Sequence, residues 1–207
     1  MDIKALETQA APSQPASELG KRIRKLRKAR ERTLDSLAQE VGLTKGYLSK
    51  VETGRQIPPL ATLSKVARAL GADLSSLLEP GPGSGNDESS AGVSLVRADQ
   101  RRPVIRGGSS FGYDYQSLVQ NASGRHMSPF LFTFPRQILK EVFFEHAGEE
   151  LIFVLSGTVE FEVGSERYEL KPGDCIYFDA RMRHRGRGKG GEAKALVVML
   201  EPHQAGD

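Results

Sequence analysis

Between residues 18 and 79 the apolar positions recur every three or four residues. In "ELGKRIRKLRKAR", Leu19, Ile23 and Leu26 fall on one side of a helix while cations fill the others. "LDSLAQEV", "KGYLSKVE", "LATLSKVARAL" and "ADLSSLLE" keep that period, so five helices are predicted. From residue 113 onward the period changes to two. "YDYQSLV", "FLFTFP", "LIFVLSG", "TVEFEVG", "ERYELKPGD", "CIYFDA" and "KALVVML" read as short strands broken by Gly, Pro and Asp. Their even spacing predicts an antiparallel sandwich or barrel. Between the two patterns, "PGPGSGNDESSAG" has almost nothing apolar to bury and is expected to be a flexible linker. The fold class is therefore multidomain α + β. A disordered tail is expected over 1–16, an all-α domain over 17–79, the linker over 80–92 and an all-β domain over 93–207.

The spacing within "LDSLAQEVGLTKGYLSKV" is more specific than amphipathicity alone. Leu37, Ala38 and Val41 face inward on one helix, Leu48 and Val51 on the next, and Leu43 lies between them. Two helices crossing at about a right angle need a small residue where they touch, and Ala38 supplies it. The tight turn needs a residue that tolerates positive φ, here Gly42. Thr33 and Thr44 stand where side-chain caps are required. This is a helix-turn-helix pattern.

Residues 19–79 resemble the phage-repressor (Xre/Cro-like, lambda-repressor-like) helix-turn-helix family, including the "SKVETG" that closes the second helix. The resemblance implies that this second helix enters the major groove of DNA. It assigns Lys45, Gly46 and Lys50 to base-facing sites, the lysines toward guanine acceptors, and sets Tyr47 and Ser49 beside phosphates. Thr33 with the amides of its helix, Thr44, and Arg55 and Gln56 just past the second helix complete the expected DNA surface. It also pairs Arg27 with Glu52 in a structural role.

Charge changes the picture in the same direction. The formal net charge is only +3, but residues 17–79 hold 13 Lys+Arg against 7 Asp+Glu, while residues 93–207 hold 15 of each. Positive charge concentrated on one small segment points to a polyanion partner. No apolar run approaches the roughly 20 residues that span a bilayer, and the N-terminus has no apolar signal region. The single Cys175 excludes an intrachain disulfide framework and any multi-cysteine zinc site, so a reducing cytoplasm is expected. Cys175 lies inside a predicted strand and is expected to be buried and inert.

Candidate chemistry sits in the second half. "FFEHAGEELIFVLSG" and "GDCIYFDARMRH" resemble the two motifs of the cupin superfamily, a jelly-roll (double-stranded β-helix) barrel, over residues 95–200. The resemblance implies a ligand set of His146, Glu150 and His184, two imidazoles and a carboxylate that suit Fe(II), with Zn, Mn or Ni as alternatives. Phe144 stands where that family has a further histidine, and Asp179 and Arg181 replace its usual proline and glycine. The same three residues could instead form a hydrogen-bonded cluster or hold a ligand directly. Tyr113, Tyr115, Phe132, Phe144, Phe153, Tyr177 and Met182 are candidate pocket walls, about half of which should face inward because strand side chains alternate. Arg183, Arg185 and Arg187 share the strand face opposite His184 and read as a charged edge strand.

Together these features imply a bacterial, homodimeric, sequence-specific transcription factor on a near-palindromic operator, with a small-molecule effector in the cupin domain and no membrane partner. The alternative is a mononuclear non-heme iron enzyme, since the fosfomycin-pathway epoxidase family shares the architecture and the reduced triad. No nucleophile–base pair, phosphate loop or dinucleotide fingerprint occurs in the chain, so catalysis would rest on the triad alone.

Overall fold

The structure is a computed structural model that describes residues 14–78, 93–101, 103–104, 112–119, 126–138 and 142–200. The expected linker over 80–92 and most of the expected tail lie outside these residues. Five helices come first: α1 (Gln14–Ala29), α2 (Leu34–Glu40), α3 (Lys45–Glu52), α4 (Leu60–Ala69) and α5 (Leu74–Leu78). α1 begins at Gln14, so the last part of the expected tail is helical.

The helical core matches the apolar period. Ile23, Leu37, Leu48, Leu63, Leu70, Leu74 and Leu77 are completely shielded from solvent. Each such side chain contributes about 2 kcal/mol of burial free energy. Thr33 and Thr44 accept from the amides of Ser36 and Tyr47, capping α2 and α3. Gly42, at φ +69°, ends α2; the Leu43 amide donates to the Ala38 carbonyl at 2.8 Å and the Gly42 amide to that of Gln39. That pair of bonds is the usual left-handed helix stop. Gly20 has a different role. A Cβ there would lie 2.5 Å from the carbonyl oxygens of Val51 and Glu52, so glycine lets α1 lie against the end of α3.

The described residues of the second half contain eight strands: β1 (Asp114–Ser117), β2 (Met127–Phe134), β3 (Glu149–Ser156), β4 (Val159–Val163), β5 (Glu166–Leu170), β6 (Cys175–Asp179), β7 (His184–Gly188) and β8 (Ala193–Leu200). They form a five-stranded sheet, β1-β2-β8-β3-β6, and a three-stranded sheet, β5-β4-β7, antiparallel throughout. The expected barrel is not closed. Among the described residues the two sheets meet mainly through side chains, with backbone bonds between Phe144 and His184 and from the Gly188 amide to the Pro135 carbonyl, so the unit is a jelly-roll sandwich.

Alternation then sorts every strand. β2 turns Phe130 and Phe134 inward, β3 Ile152 and Val154, β4 Val159 and Phe161, and β8 Ala195, Val197 and Met199. Cys175 falls on the other parity of β6 and is exposed, contrary to expectation: register with Phe153 puts it on the outer face of the large sheet.

Candidate functional site

Two regions carry functional chemistry, the surface of α3 and the inner face of the sandwich. On α3, Leu48 and Val51 are buried, whereas Lys45, Gly46 and Lys50 are exposed, as are Thr33, Thr44 and Arg55. Ser49 and Gln56 are half-buried. Tyr47 is also half-buried against the helical core, and that burial raises its phenol above the ordinary value. Among the described residues Lys45, Lys50 and Arg55 have no carboxylate partner, although other cations of the helical unit do. Arg27 bonds Glu52 in a two-pronged pair, Nε to Oε1 at 2.6 Å and Nη2 to Oε2 at 2.8 Å, and its remaining nitrogen donates to the Arg32 carbonyl. The pair ties α1 to the end of α3.

In the sandwich, three sequence-separated residues come together. His146 precedes β3, Glu150 lies on β3 and His184 opens β7; all three are buried, with donor atoms within 4.8 Å of one another. His146 Nε2 is 2.7 Å from Glu150 Oε1, and His184 Nε2 is 3.8 Å from the same oxygen. Each ring's other nitrogen meets a backbone carbonyl: His146 Nδ1 with Ala147 at 3.0 Å, and His184 Nδ1 with Met182 at 2.8 Å. A carbonyl only accepts, so Nδ1 carries the hydrogen and a neutral ring presents a lone pair at Nε2. The Glu150 carboxylate presents another lone pair to the same point. Lone pairs at 2.7 Å need a cation between them, either a proton or a metal ion. Burial, opposed by Glu150, pushes the His184 imidazole below its ordinary range and favours the neutral, ligating form. Two imidazole nitrogens and a carboxylate oxygen, oriented by backbone acceptors, thus fit a divalent ion.

Phe144 is antiparallel partner to His184 and exchanges both backbone hydrogen bonds with it, at 2.8 and 2.9 Å. Its ring packs edge-on to Tyr113, centroids 5.5 Å apart. The Tyr113 hydroxyl donates to the Gly186 carbonyl at 2.7 Å, and burial raises its phenol far above the ordinary value. The expected wall residues divide by parity. Tyr113, Tyr115, Phe132 and Phe144 line a cavity beside Glu150 and His184. Phe153, Tyr177 and Met182 do not: they are 36%, 61% and 45% exposed. Phe153 and Tyr177 project from the outer face of the large sheet, and Met182 lies in the turn before β7, against Gly164. Sequence reasoning missed Phe134, Ile152, Phe161, Val197 and Met199, although strand parity around Glu150 and Phe132 carried the signal. It also missed Pro59, Leu60 and Ala61, which reach the cavity from the helical unit and leave no local trace in the sequence.

The cationic run behaves as a charged edge. β7 borders the small sheet; Arg185 pairs with Glu162 at 3.0 Å and Arg187 with Glu160 at 2.6 Å, and Arg183 and Arg185 cover the Phe143 ring at 4.3 and 4.4 Å. Arg185 and Arg187 are thereby neutralised by carboxylates of β4.

A capped helix-turn-helix followed by a jelly-roll with an inward His-Glu-His cluster defines an Xre/Cro-like helix-turn-helix protein with a C-terminal cupin domain. Residues 23–77 match the family described as Helix-turn-helix, and residues 130–200 that described as Cupin domain. The immunity repressor protein of Bacillus phage phi105 is 40% identical over 60 residues, 29% of this chain and 42% of the relative. The HTH-type transcriptional regulator SutR of Escherichia coli (strain K12) is 28% identical over 168 residues, 81% of this chain and 85% of the relative. Among solved structures, an HTH_3 family transcriptional regulator from Vibrio cholerae superposes with a TM-score of 0.65 at 23% identity, covering 91% of this chain and 97% of that one. Hydroxypropylphosphonic acid epoxidase from S. wedmorenis, in complex with fosfomycin, gives a TM-score of 0.46 at 22% identity, covering 91% of this chain and 100% of that one.

Proposed function

We propose that this protein is a homodimeric DNA-binding transcriptional regulator whose cupin domain senses a small molecule. The observation that carries the reading is a capped α3 whose exposed face and exit hold three cations not matched by a carboxylate. The cations of α3 and its exit, Lys45, Lys50 and Arg55, have no carboxylate partner among the described residues, whereas Arg181, Arg185, Arg187 and Lys189 of the cupin domain all do. Unneutralised ammonium groups on the exposed face of a helix anchored by two buried apolar residues suit a polyanionic groove. The capped starts of α2 and α3 suit phosphates. The regulator relatives support the same reading.

The outer face of the large sheet supports pairing of two copies. Met127, Phe153, Leu155, Tyr177 and Leu200 are all exposed, and β3 carries Leu151 and Phe153 beside Val198 and Leu196 of β8. An apolar patch across four adjacent strands is characteristic of an interaction site, and a twofold pairing would set two α3 helices on half-sites about 34 Å apart. The cavity between the sheets is the proposed effector site. A divalent ion held by His146, Glu150 and His184 would supply an electrophilic anchor at its polar end.

A mobility-shift titration on the DNA upstream of its own gene tests the reading. Binding at least tenfold tighter than to random duplex is expected; equal affinity for both would overturn it. A second reading, a non-heme iron oxidoreductase, rests on the His-Glu-His cluster alone. Stoichiometric iron with oxygen-dependent turnover, and no preference for any duplex, would favour it instead.

A further inference from the structure

The cavity of the cupin domain has one wall that does not belong to that domain. Pro59, Leu60 and Ala61, the entrance and first turn of α4, line it together with Tyr115, Phe132 and Val197. Leu60 and Ala61 are 3% and 8% exposed. This turn is a firm piece of backbone, because the amides of Thr62 and Leu63 both donate to the Pro59 carbonyl at 3.0 Å. The free space between these walls is about 40 Å³. Pockets that hold metabolite-sized ligands measure about 300 Å³ or more, so such a ligand needs more room than these walls leave between them.

The walls differ in how they are held. β2 is bonded on both sides, to β1 and β8, and β3 likewise to β8 and β6. Moving any of these strands breaks a hydrogen-bond ladder. Among the described residues no hydrogen bond joins Pro59, Leu60 or Ala61 to a strand. Apolar contact alone seats that turn, and it is the wall that yields first. α4 packs against α2 and α5, so the helical unit moves with it.

We propose that the first turn of α4 is the movable wall of the ligand chamber. A small, mainly apolar molecule, with one polar head toward His184 and Glu150, lifts α4 from the cupin domain and thereby changes how the paired α3 helices meet DNA. The proposal rests on the regulator reading and adds its route of control. The free energy available for coupling is the difference in ligand affinity between the seated and lifted arrangements.

The chain contains no tryptophan, so Phe132→Trp gives a single fluorescent reporter on the chamber wall. In that background Ala61→Glu and Ala61→Gln put a polar side chain in the wall without touching α3; both residue types suit a first helical turn. Val197→Phe acts from the opposite side as a tethered occupant. The reporter parent should emit as a buried indole, shielded from acrylamide. All three variants should shift its emission to the red and open it to quenching while keeping the parental far-ultraviolet circular dichroism. They should also change affinity for the upstream DNA in one common direction, by about fivefold or more. Emission unchanged in both Ala61 variants would overturn the shared wall. A shifted reporter with unchanged DNA affinity would overturn the coupling. If Val197→Phe loses the cooperative melt, the Ala61 pair decides. Should the parent show no preference for any duplex, the regulator reading fails, and the reporter still decides whether α4 closes the chamber.

Discussion

Phe144 and His184 are reciprocal backbone partners, each amide donating to the other's carbonyl at 2.9 Å or less, so their side chains leave the paired strands side by side. The phenyl ring therefore borders the His-Glu-His cluster at a position from which an imidazole could reach it. Phe144→His is expected to raise affinity for a divalent ion by about tenfold or more, since one further first-row donor contributes at least about 1.4 kcal/mol. Competition against a chromogenic chelator measures this; unchanged affinity would mean that the ring faces away from the cluster.

Removing the charge at Glu150 has the opposite effect. With Glu150→Gln the carboxylate that completes the donor set is lost, and the amide can donate to the His146 Nε2 lone pair. The variant should bind Fe(II), Mn(II) or Zn(II) much more weakly than the parent. For the parent, an ion at a hundred times its dissociation constant should stabilise by about 2.7 kcal/mol, read as a higher melting temperature that chelator reverses.

Arg27 and Glu52 form a pair whose side chains are 11% and 6% exposed. Breaking such a pair from one side leaves an uncompensated charge, so Arg27→Met should destabilise the helical unit by about 3 kcal/mol. Adding Glu52→Leu should recover most of the loss, because the cost is the stranded carboxylate rather than the missing attraction. Chemical denaturation followed at helix wavelengths distinguishes the two variants.

Lys45 and Lys50 stand exposed on α3 with no carboxylate partner among the described residues. Lys45→Ala with Lys50→Ala should abolish preference for the upstream DNA. If each contacts a phosphate as well, the dependence of log K on log salt should also flatten by about one unit per lysine. A salt series by fluorescence anisotropy gives both values. Retained preference would move recognition away from α3.

Phe153→Asp places a carboxylate in the centre of the outer apolar face while leaving the inner face untouched. The expected result is a monomer by light scattering with a parental dichroism spectrum, and a marked loss of affinity for a two-half-site operator. A variant that remains dimeric would place the pairing surface elsewhere.

The helical unit was largely legible in the chain itself. Gly42, Ala38, Thr33 and Thr44 are each demanded by a local event, a stop, a crossing or a cap, and local events leave local signatures. The close approach at Gly20 was not legible, because a glycine inside a helix says nothing about which backbone it meets. In the cupin domain the motif spacing identified His146, Glu150 and His184, yet Phe153 and Tyr177 were misassigned as pocket walls. Their alternation was visible, but in a sandwich whose outer face is also apolar, residue type does not reveal which parity points inward. The exposed Cys175 follows from the same ambiguity.

The amino-acid sequence by itself determined the periods, the caps and turn, and the charge asymmetry, all of which depend on neighbours within a few residues, and its motif spacing singled out His146, Glu150 and His184 as candidate ligands. Only the tertiary structure decided that Glu150 faces a lone pair of His146, that Phe144 stands beside His184, and that a turn of α4 closes a chamber built by strands more than fifty residues away. Those relationships depend on strand register and on packing between units. Both are set by long-range burial of apolar surface rather than by any local preference of the chain.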